Sequence, residues 1–257
     1  MEQIAVISDV HGNMPALEAV LKDIKKRGIK RIFCLGDLVG KGPDSGKATD
    51  ICREKCEVVL LGNWDYFLAD GEGFPMFRWY RERLTKEQLD YLLHLPPVYN
   101  FTISGRKVRL YHASHIGVAH RVHMDDTEDK HIAMFGNTDF TGDDFAPDTI
   151  GYGDIHKTFL KNIKGKVLFN AGSIGNPLDE PTAAYVIMEG NYGDAKPGYF
   201  AIQTIRLPYD IERAVKQARD ADMPDIELKL YEEELRTSRY RRDELMREWL
   251  RKNKKKE

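Results

Sequence analysis

Long hydrophobic runs are absent from this sequence of 257 residues. No stretch approaches the roughly 20 consecutive apolar residues that a membrane-spanning helix requires. The first apolar run, Ile4–Ile7, begins almost at once, and no charged segment with a cleavage site precedes it. The sequence therefore predicts no membrane span and no signal peptide, and we expect a cytoplasmic protein.

Cysteine is scarce as well, with three residues in the whole chain. Cys34, Cys52 and Cys56 are too few for a disulfide framework. Cys52 and Cys56 lie four residues apart on a predicted helix. A metal or redox pair is conceivable there, but two reduced, partly buried thiols are the simpler interpretation.

Charge of one sign is not in excess, because 39 lysines and arginines nearly balance 41 aspartates and glutamates. The net charge of −2 gives no strong case for a protein that holds long nucleic acid by bulk charge. It does not exclude a small nucleotide as a substrate. With 42% hydrophobic residues, the chain can form a sizeable globular core.

Strand and helix patterns alternate regularly in the first third of the chain. Ile4–Val10 is typical of a buried strand, and Asn13 caps a helix that Gly28 ends. A strand, a helix and a third strand follow at Arg31–Gly36, Asp44–Lys55 and Glu57–Leu61. This βαβαβ order predicts a parallel sheet covered by helices, with ligands bound beyond the carboxyl ends of its strands.

The rest of the chain is predicted to add more strands and a helical end. Residues 64–95 have a helical pattern, whereas residues 114–147 are polar and give no clear assignment. Further strands are predicted at Val98–Ser104, Lys107–Ala113, Asp148–Gly153, Val167–Asn170, Ala183–Met188 and Tyr199–Arg206. A helical pattern extends from residue 210 to about residue 252, with a break at Pro224. We expect one α/β domain over residues 1–209 and a helical C-terminal extension over residues 210–257.

The extension is rich in arginine and lysine from residue 236 onward. A nucleic-acid contact is conceivable, but a solvated amphipathic helix explains the pattern better. Tyr240, Leu245 and Trp249 are spaced to form one apolar face. We expect this face to pack on the domain or on a second subunit, which would produce a homo-oligomer.

Polar residues stand at or just after the ends of several predicted strands. Seven of them interest us: Asp9, His11, Asp37, Asn63, His112, Asp154 and His156. If those strands share one sheet, all seven converge on one rim. Residues two apart in an extended segment face the same side, so the first two and the last two would each point into the site as a pair.

The chemistry of these side chains predicts metal binding. Carboxylate, imidazole and amide oxygen together suit manganese, iron, zinc or nickel better than calcium or a thiolate-bound metal. Their number fits two ions rather than one. A carboxylate that bridges two cations about 3.5–4 Å apart is the usual arrangement in two-metal phosphoesterases.

Six short blocks carry a family resemblance, and each stands at a predicted strand end. They are Ser8-Asp9-Val10-His11-Gly12-Asn13, Gly36-Asp37-Leu38-Val39-Gly40, Gly62-Asn63-Trp64-Asp65, Tyr111-His112-Ala113-Ser114, Gly153-Asp154-Ile155-His156 and Asn170-Ala171-Gly172-Ser173-Ile174-Gly175. Each block is weak evidence by itself, but six in order are specific. From about Ile4 to Tyr209 the chain resembles the calcineurin-like metallophosphoesterase superfamily, in its small bacterial and archaeal phosphodiesterase branch.

The resemblance implies a four-layer α/β/β/α sandwich and two divalent metal ions. It implies that one ion takes Asp9, His11, Asp37 and His156, and that the other takes Asp37, Asn63, His112 and Asp154. Asp37 would bridge the two ions. A water or hydroxide between them would be the nucleophile, since both charges lower its pKa.

Two positions depart from the family pattern. The third block usually contains a histidine where this chain has Trp64. That histidine is thought to protonate the leaving group or to stabilise the transition state, and an indole is no useful proton donor. Asp154 replaces the first histidine of the family's Gly-His-x-His block. It adds a negative charge and favours manganese over zinc, although weak or absent binding of the second ion is the competing interpretation.

Other candidate residues complete the predicted site. Asn63 and Asp65 are catalytic candidates, and Asn13, Lys41 and Trp64 are candidates for substrate contact. Trp64 could stack on a nucleobase, or it could equally pack in the core or cover the metals. His115, His120 and His123 are candidates for lining the site rather than for binding metal, and Asp139 is an alternative to Asp154.

We therefore expect a phosphodiesterase or nucleotide pyrophosphohydrolase that cleaves small phosphodiester or phosphoanhydride substrates and prefers manganese. A phosphomonoesterase is the alternative among enzymes. A metal-binding regulator or scaffold with weakened catalysis is the alternative of another class. Trp64 and Asp154 favour the regulator, whereas the complete ligand set for the first ion favours the enzyme.

Overall fold

The computed structural model describes residues 1–71 and 77–240 of the chain. The strands are β1 (Glu2–Ile7), β2 (Arg31–Cys34), β3 (Val58–Val59), β4 (Val98–Ile103), β5 (Arg106–Tyr111), β6 (Thr149–Tyr152), β7 (Thr158–Ile163), β8 (Lys166–Ala171), β9 (Ala183–Gly190) and β10 (Ala201–Leu207). The helices are α1 (Met14–Lys26), α2 (Ser45–Lys55), α3 (Asn63–Asp70), α4 (Arg78–Arg81), α5 (Lys86–Leu93), α6 (Glu128–Ala133), α7 (Ile211–Asp220) and α8 (Asp225–Thr237).

These strands form two sheets of five strands each. The first has the order β10-β9-β1-β2-β3, in which β1, β2 and β3 are parallel. The second has the order β4-β5-β6-β8-β7, in which β5, β6 and β8 are parallel and both edge strands are antiparallel. Parallel neighbours end at the same edge of a sheet, so each sheet presents one rim of carboxyl ends.

Alternation along β1 explains why the sheets stack. Ile4 and Val6 lie in the core between the sheets, where they share a cluster with Leu110 and Phe169 of the second sheet. Ala5 and Ile7 point the other way, into the core beneath the helices. Successive strand residues face opposite sides, so a strand that is buried throughout must be covered on both faces.

Helices cover the outer face of the first sheet. Their apolar side chains, including Leu17 of α1, Val215 of α7 and Leu235 of α8, join one buried cluster with that sheet. Asn13 begins α1 as the predicted cap, because its Oδ1 accepts the N–H of Ala16 at 3.3 Å.

The segment that gave no clear assignment, residues 114–147, covers the outer face of the second sheet. It contains α6, and its Val122 and Phe135 pack in a third buried cluster with Tyr152. The guanidinium of Arg109 on β5 fixes this layer, since it donates to the carbonyls of Gly136 and Phe145 and to two asparagine side chains. The predicted four-layer α/β/β/α sandwich with C-terminal helices is confirmed.

Three details differ from the sequence prediction. The predicted helical region 64–95 corresponds, among its described residues, to the helices α3, α4 and α5, with non-helical residues between α4 and α5. The edge strand β7 is missing from the prediction, because its sequence lacks a clean alternation of apolar and polar residues. In the structure its Leu160 is half-exposed. Helix α8 ends at Thr237, where Ser238 adopts a left-handed backbone conformation, so the predicted helix does not continue unbroken.

Helices α7 and α8 contact the body of the fold directly. Arg213 of α7 pairs with Glu18 of α1, and Glu234 of α8 accepts a hydrogen bond from Asn176. The division of the chain at residue 210 stays a prediction. Tyr240 is half-exposed, while Leu245 and Trp249 of the predicted apolar face lie outside the described residues.

Within residues 1–71 and 77–240, none of the helices has the length and apolar character that crossing a membrane requires.

Candidate metal centre

The candidate ligands converge at the rim where the carboxyl ends of both sheets meet. Asp9, His11 and Asp37 follow strands of the first sheet, whereas His112 and His156 follow strands of the second. The candidate ligands therefore come from strands of two sheets rather than from those of one sheet. Stacking of two sheets brings the two rims together, and that contact assembles the site.

Four side chains form a compact buried cluster that could hold a metal ion: Asp9, His11, Asp37 and His156, whose ligand atoms all lie within 4.8 Å of one another. His11 Nε2 is 3.5 Å from Asp37 Oδ2, and His156 Nε2 is 3.0 Å from Asp9 Oδ1. This is the set that the family resemblance implies for the first ion.

Hydrogen bonds from the imidazoles to backbone carbonyls orient their other nitrogens into the site. His11 Nδ1 donates to Val39 O at 2.9 Å, and His156 Nδ1 donates to Asn176 O at 2.5 Å. A carbonyl can only accept, so Nδ1 carries the proton and Nε2 presents a lone pair. The two Nε2 atoms face each other at 3.2 Å. Two lone pairs at that distance repel unless a positive charge lies beside them, as a bound cation would provide.

The carboxylates are oriented in the same way. Asp9 Oδ2 accepts from the Ser8 hydroxyl at 2.5 Å and from the Asp154 N–H at 3.2 Å, which leaves Oδ1 facing the cluster. Asp37 Oδ1 accepts the N–H of Trp64 at 2.8 Å. Its Oδ2 faces His11, whereas Oδ1 lies 3.5 Å from His112 Nε2. Asp37 therefore stands between the two groups of ligands, with one oxygen toward each.

A second group of ligands surrounds that other side of Asp37. His112 Nδ1 donates to Leu35 O at 2.8 Å, and its Nε2 lies 3.9 Å from Asp154 Oδ1. Three buried polar atoms of the candidate ligands make no hydrogen bond within the described part of the chain: Asp9 Oδ1, Asn63 Oδ1 and His112 Nε2. Unpartnered buried acceptors are costly in a folded protein. Their presence at this rim fits divalent cations as the missing partners.

The pKa values of these groups reflect the crowding of carboxylates and imidazoles in one buried cluster. Burial alone would raise the pKa of Asp9, but His156, His112 and His11 hold that pKa well below its ordinary value. Burial, Lys41 and His156 hold the pKa of His11 well below its ordinary value. Burial also opposes charge on His112, yet Asp37 and the other carboxylates raise its pKa well above the ordinary value. The cluster therefore favours ionised carboxylates together with positive charge.

The backbone at the ligands is not extended. Asp9, His11, Asp37, Asp154 and His156 all have φ between 50° and 61°, in the left-handed region. The expectation of extended pairs is therefore wrong in its geometry, although each pair does reach the same rim. Residues other than glycine rarely adopt this backbone conformation. Where they do, they are often at functional sites, and the surrounding structure maintains the strain.

Glycines allow the ligand loops to approach one another. A Cβ on Gly62 would lie 2.2 Å from Asp37 N and Oδ1, and a Cβ on Gly153 would lie 2.0 Å from the Ser8 hydroxyl. Real Cβ atoms cannot approach so closely. Both glycines are therefore required by the packing of one loop against the next.

Asp65 and Asn13 hold the loops in place. Asp65 is fully buried, and its carboxylate accepts the N–H groups of Asp37, Leu38 and Gly62 at 2.7, 2.9 and 3.1 Å. Burial and Asp37 raise the pKa of Asp65 to about 7, and bound cations would lower that value. Asn13 is fully buried, and its amide nitrogen donates to Gly175 O at 2.9 Å. We propose a positioning role for both, in place of the predicted catalytic and substrate contacts.

A cavity of about 250 Å³ opens beside the cluster. It is lined by Asp37, Lys41, Trp64, Arg121, His123, Asp154, Ile155, His156, Leu178 and Tyr240. Lys41 Nζ donates to Asn176 Oδ1 at 2.8 Å. The Trp64 indole lies edge-on to His11, with ring centroids 5.6 Å apart, and packs on Gly40, where an added Cβ would lie 2.0 Å from the ring. Trp64 therefore forms one wall of the cavity and is partly buried.

Three residues of this site escaped the sequence reasoning: Ser8, Asn176 and Arg121. Ser8 and Asn176 lie within or next to the six blocks, so their position was the available clue. Arg121 lies in the segment without a clear assignment, and no pattern pointed to it. Of the alternatives, His123 lines the cavity, whereas Asp139 is exposed and His115, His120 and Asp139 are not among the lining residues.

Two stacked sheets between helical layers, with an Asp/His cluster at their common rim, match the metallophosphoesterase fold. Residues 2–192 match the family model of the calcineurin-like phosphoesterase superfamily domain. The chain belongs to this superfamily, and the predicted family is confirmed.

Similar proteins include examples from archaea and bacteria. The uncharacterized protein MJ0912 of Methanocaldococcus jannaschii is 31% identical over 248 residues, which are 86% of this chain and 94% of the relative. A metallophosphoesterase from Sphaerobacter thermophilus is 25% identical with a TM-score of 0.70, covering 89% of this chain and 98% of that chain. The hypothetical protein PH1004 from Pyrococcus horikoshii has a TM-score of 0.72 at 19% identity, covers 90% and 98% of the two chains, and is similar in fold.

Proposed function

We propose that this protein is a metal-dependent phosphodiesterase or nucleotide pyrophosphohydrolase of small phosphodiester or phosphoanhydride substrates. The observation that carries the proposal is Asp37, because one of its oxygens faces His11 and the other faces His112. A carboxylate in that position is suited to bridge two cations. A regulator with weakened catalysis would have little need for such an arrangement.

Each side chain then has a role in the proposed centre. Asp9, His11 and His156 would hold one ion with Asp37, whereas Asn63, His112 and Asp154 would hold a second. When bound, such ions polarise the phosphoryl group and supply a nucleophile at neutral pH. Since Asp154 adds an oxygen ligand in place of a nitrogen, we propose manganese as the preferred metal, with iron, nickel or zinc as alternatives.

The cavity walls would recognise the substrate. The ammonium group of Lys41 is placed to attract a phosphate oxygen, and the Trp64 indole offers an apolar surface for a leaving group or base. The cavity volume of about 250 Å³ favours a small substrate and thus a second candidate, a phosphomonoesterase. Drug-sized ligands usually occupy larger pockets of about 300–1,000 Å³. A cytoplasmic location and a homo-oligomer through the C-terminal helices stay predictions.

A substrate panel with metal-stripped protein tests the proposal. Protein dialysed against EDTA would be supplied in turn with manganese, nickel, zinc or magnesium, and assayed on bis-nitrophenyl phosphate, dinucleoside polyphosphates and nitrophenyl phosphate. We expect turnover only with metal, the highest with manganese, and kcat/KM higher for diesters and anhydrides than for the monoester. A clearly better monoester would support the phosphomonoesterase instead, and full activity in excess EDTA would exclude a metal mechanism.

Asp37→Ala is the decisive variant, because it removes the carboxylate between the two ligand groups. We expect it to lose nearly all turnover and to bind less metal, measured by elemental analysis after gel filtration. Asp139→Ala is the matched control, since Asp139 is exposed and is not among the residues that line the cavity. Metal content and turnover should be unchanged in this control.

A further inference from the structure

Arg121 forms a two-pronged ion pair with Asp154 at the edge of the cavity. Its Nε donates to Asp154 Oδ2 and its Nη2 donates to Oδ1, both at 2.8 Å. The Asp154 side chain is 1% exposed, whereas the Arg121 side chain is 45% exposed. One partner is thus embedded among the candidate ligands, and the other extends from it into the cavity mouth.

The segment that carries Arg121 is held in place by the two residues that follow it. Val122 is buried in the outer core of the second sheet, and its carbonyl accepts a hydrogen bond from the Tyr152 hydroxyl at 2.8 Å. The next carbonyl, that of His123, accepts one from His131 Nε2 at 2.9 Å. With Val122 turned into the core, Arg121 and His123 both line the cavity. The position of the guanidinium is therefore determined by packing as well as by Asp154.

The geometry of the pair leaves part of the guanidinium available. A guanidinium has five N–H donors in a planar fork, and Asp154 uses one from Nε and one from Nη2. Within residues 1–71 and 77–240, Arg121 makes no other hydrogen bond. Both hydrogens of Nη1 and the second of Nη2 are thus left for a ligand. Such a fork matches two oxygens of a phosphate.

We infer that Arg121 is a phosphate-binding residue of this enzyme and that Asp154 is its anchor. The inference rests on the proposed function and adds a residue to it. It also accounts for Asp154, since an aspartate in place of histidine can face the metal centre and orient a guanidinium. Since Lys41 also lines the cavity, a bound phosphate would be attracted by two positive charges. Arg121 cannot act as a proton donor, because a guanidinium stays charged in proteins.

Inorganic phosphate is the probe that tests this inference. Titration calorimetry on the full-length, manganese-loaded protein would compare the wild type with Arg121→Gln, Arg121→Lys and Asp154→Asn. We expect Arg121→Gln to weaken phosphate binding by about 10- to 100-fold, the range for a hydrogen bond to a charged group. Arg121→Lys should weaken phosphate binding less, because it keeps the positive charge, although it lacks the planar fork of N–H donors. Asp154→Asn should also weaken binding, because the anchor is lost.

Arg213→Gln is the matched control. Arg213 is 44% exposed and pairs with Glu18 far along the chain, much as Arg121 pairs with Asp154. We expect its phosphate affinity to equal that of the wild type. Manganese content, measured by elemental analysis, should be the same in Arg121→Gln and in the wild type.

Two results would overturn the inference. One is phosphate affinity of Arg121→Gln within twofold of the wild type. The other is a loss of manganese from that variant in parallel with the loss of phosphate affinity, since Arg121 would then act only by holding a metal ligand. These readings do not depend on turnover. If the wild type hydrolyses no member of the substrate panel but phosphate binding still requires Arg121, the proposed hydrolase fails while the phosphate-binding residue stands.

Discussion

Single residues at this site owe their roles to what lies next to them. Asp65 illustrates the point, because the third block of the sequence offers it as a catalytic carboxylate. In the fold, both of its oxygens accept main-chain N–H groups of the loops that carry Asp37 and Asn63. A carboxylate engaged in this way orients its neighbours and has no proton to give.

Asp65→Asn should therefore damage the centre without touching substrate. The amide would turn an N–H donor toward a backbone N–H, leaving a buried donor unpaired, at a cost of about 1–3 kcal/mol. We expect a lower free energy of unfolding in urea and a displaced Asp37, seen as weaker manganese binding. Asp70→Asn on the exposed end of α3 serves as the control. If Asp65→Asn keeps normal stability and metal affinity, the positioning role is wrong.

We expect Trp64 to affect how the leaving group of a substrate departs. No imidazole occupies this position. A general acid raises the reaction rate by roughly 10²–10⁴-fold for leaving groups that need a proton. We therefore expect the wild type to depend steeply on leaving-group pKa. Trp64→His should help alkyl leaving groups more than nitrophenolate, although it leaves a gap over Gly40 and lowers thermal stability.

A series of aryl and alkyl phosphodiesters measures this dependence, with metal content checked in each protein. Trp64→Phe is the matched control, because it also shortens the ring but supplies no proton donor. A flat dependence in the wild type would contradict our account of Trp64. In that case His123, which lines the same cavity, would be the first residue to test as the proton donor.

At the scale of elements, helix α8 is connected to the site through Asn176. Glu234 on α8 is 1% exposed and accepts from Asn176 Nδ2 at 2.9 Å. Asn176 in turn accepts from Lys41 Nζ with its side chain and from His156 Nδ1 with its carbonyl. The helical extension thereby orients one cavity wall and one candidate ligand.

Removing the Glu234 carboxylate should therefore act through Lys41. We expect Glu234→Met to lower kcat/KM several-fold, and Glu234→Gln to retain more activity because it keeps an acceptor for Asn176. In a double-mutant cycle with Lys41→Met, the two losses should be less than additive, since both disturb one interaction. Lys229→Met on the exposed face of α8 is the control. Fully additive losses would show that α8 does not position Lys41.

At the scale of the whole molecule, Arg206 links an edge strand of each sheet and forms an ion pair with Asp179. Arg206 on β10 donates to both oxygens of Asp179, at 3.1 and 2.5 Å, and to the Thr158 hydroxyl on β7 at 2.6 Å. Burial alone would raise the pKa of Asp179, but the hydrogen bonds from Arg206 and Thr158 lower it. Asp179 therefore stabilises the stacked arrangement only while it is ionised.

The sign of the pH dependence follows from that lowered pKa. The contribution of Asp179 should be complete above the unfolded pKa of about 3.9 and lost as pH falls through the lower folded pKa. We expect Asp179→Asn to cost about 1 kcal/mol at pH 7 and nothing at the lowest pH that the fold tolerates. Urea unfolding of metal-free protein from pH 7 downward measures this. The exposed pair partner Asp220 provides the control as Asp220→Asn, and a cost independent of pH would contradict the assignment.

Much of this protein could be predicted from local pattern. The βαβαβ start, the six blocks and the order of the ligands are properties of neighbouring residues, so the sequence by itself determined the superfamily, the four layers and the candidate ligand set. Asp9 and His11 could be selected because both follow a buried strand, and strand ends are where parallel sheets place polar side chains.

Only the tertiary structure decided how those ligands meet. Two sheets rather than one supply them, and left-handed backbone at Asp9 and His156 rather than extended backbone aims them. Arg121 beside Asp154 and Glu234 behind Asn176 join residues 33 and 58 positions apart in the chain. No local pattern encodes such pairs, because each forms only after sheets and helices have packed. The sequence determined which chemistry is present, and packing decided which charges face the cavity and which hold its walls in place.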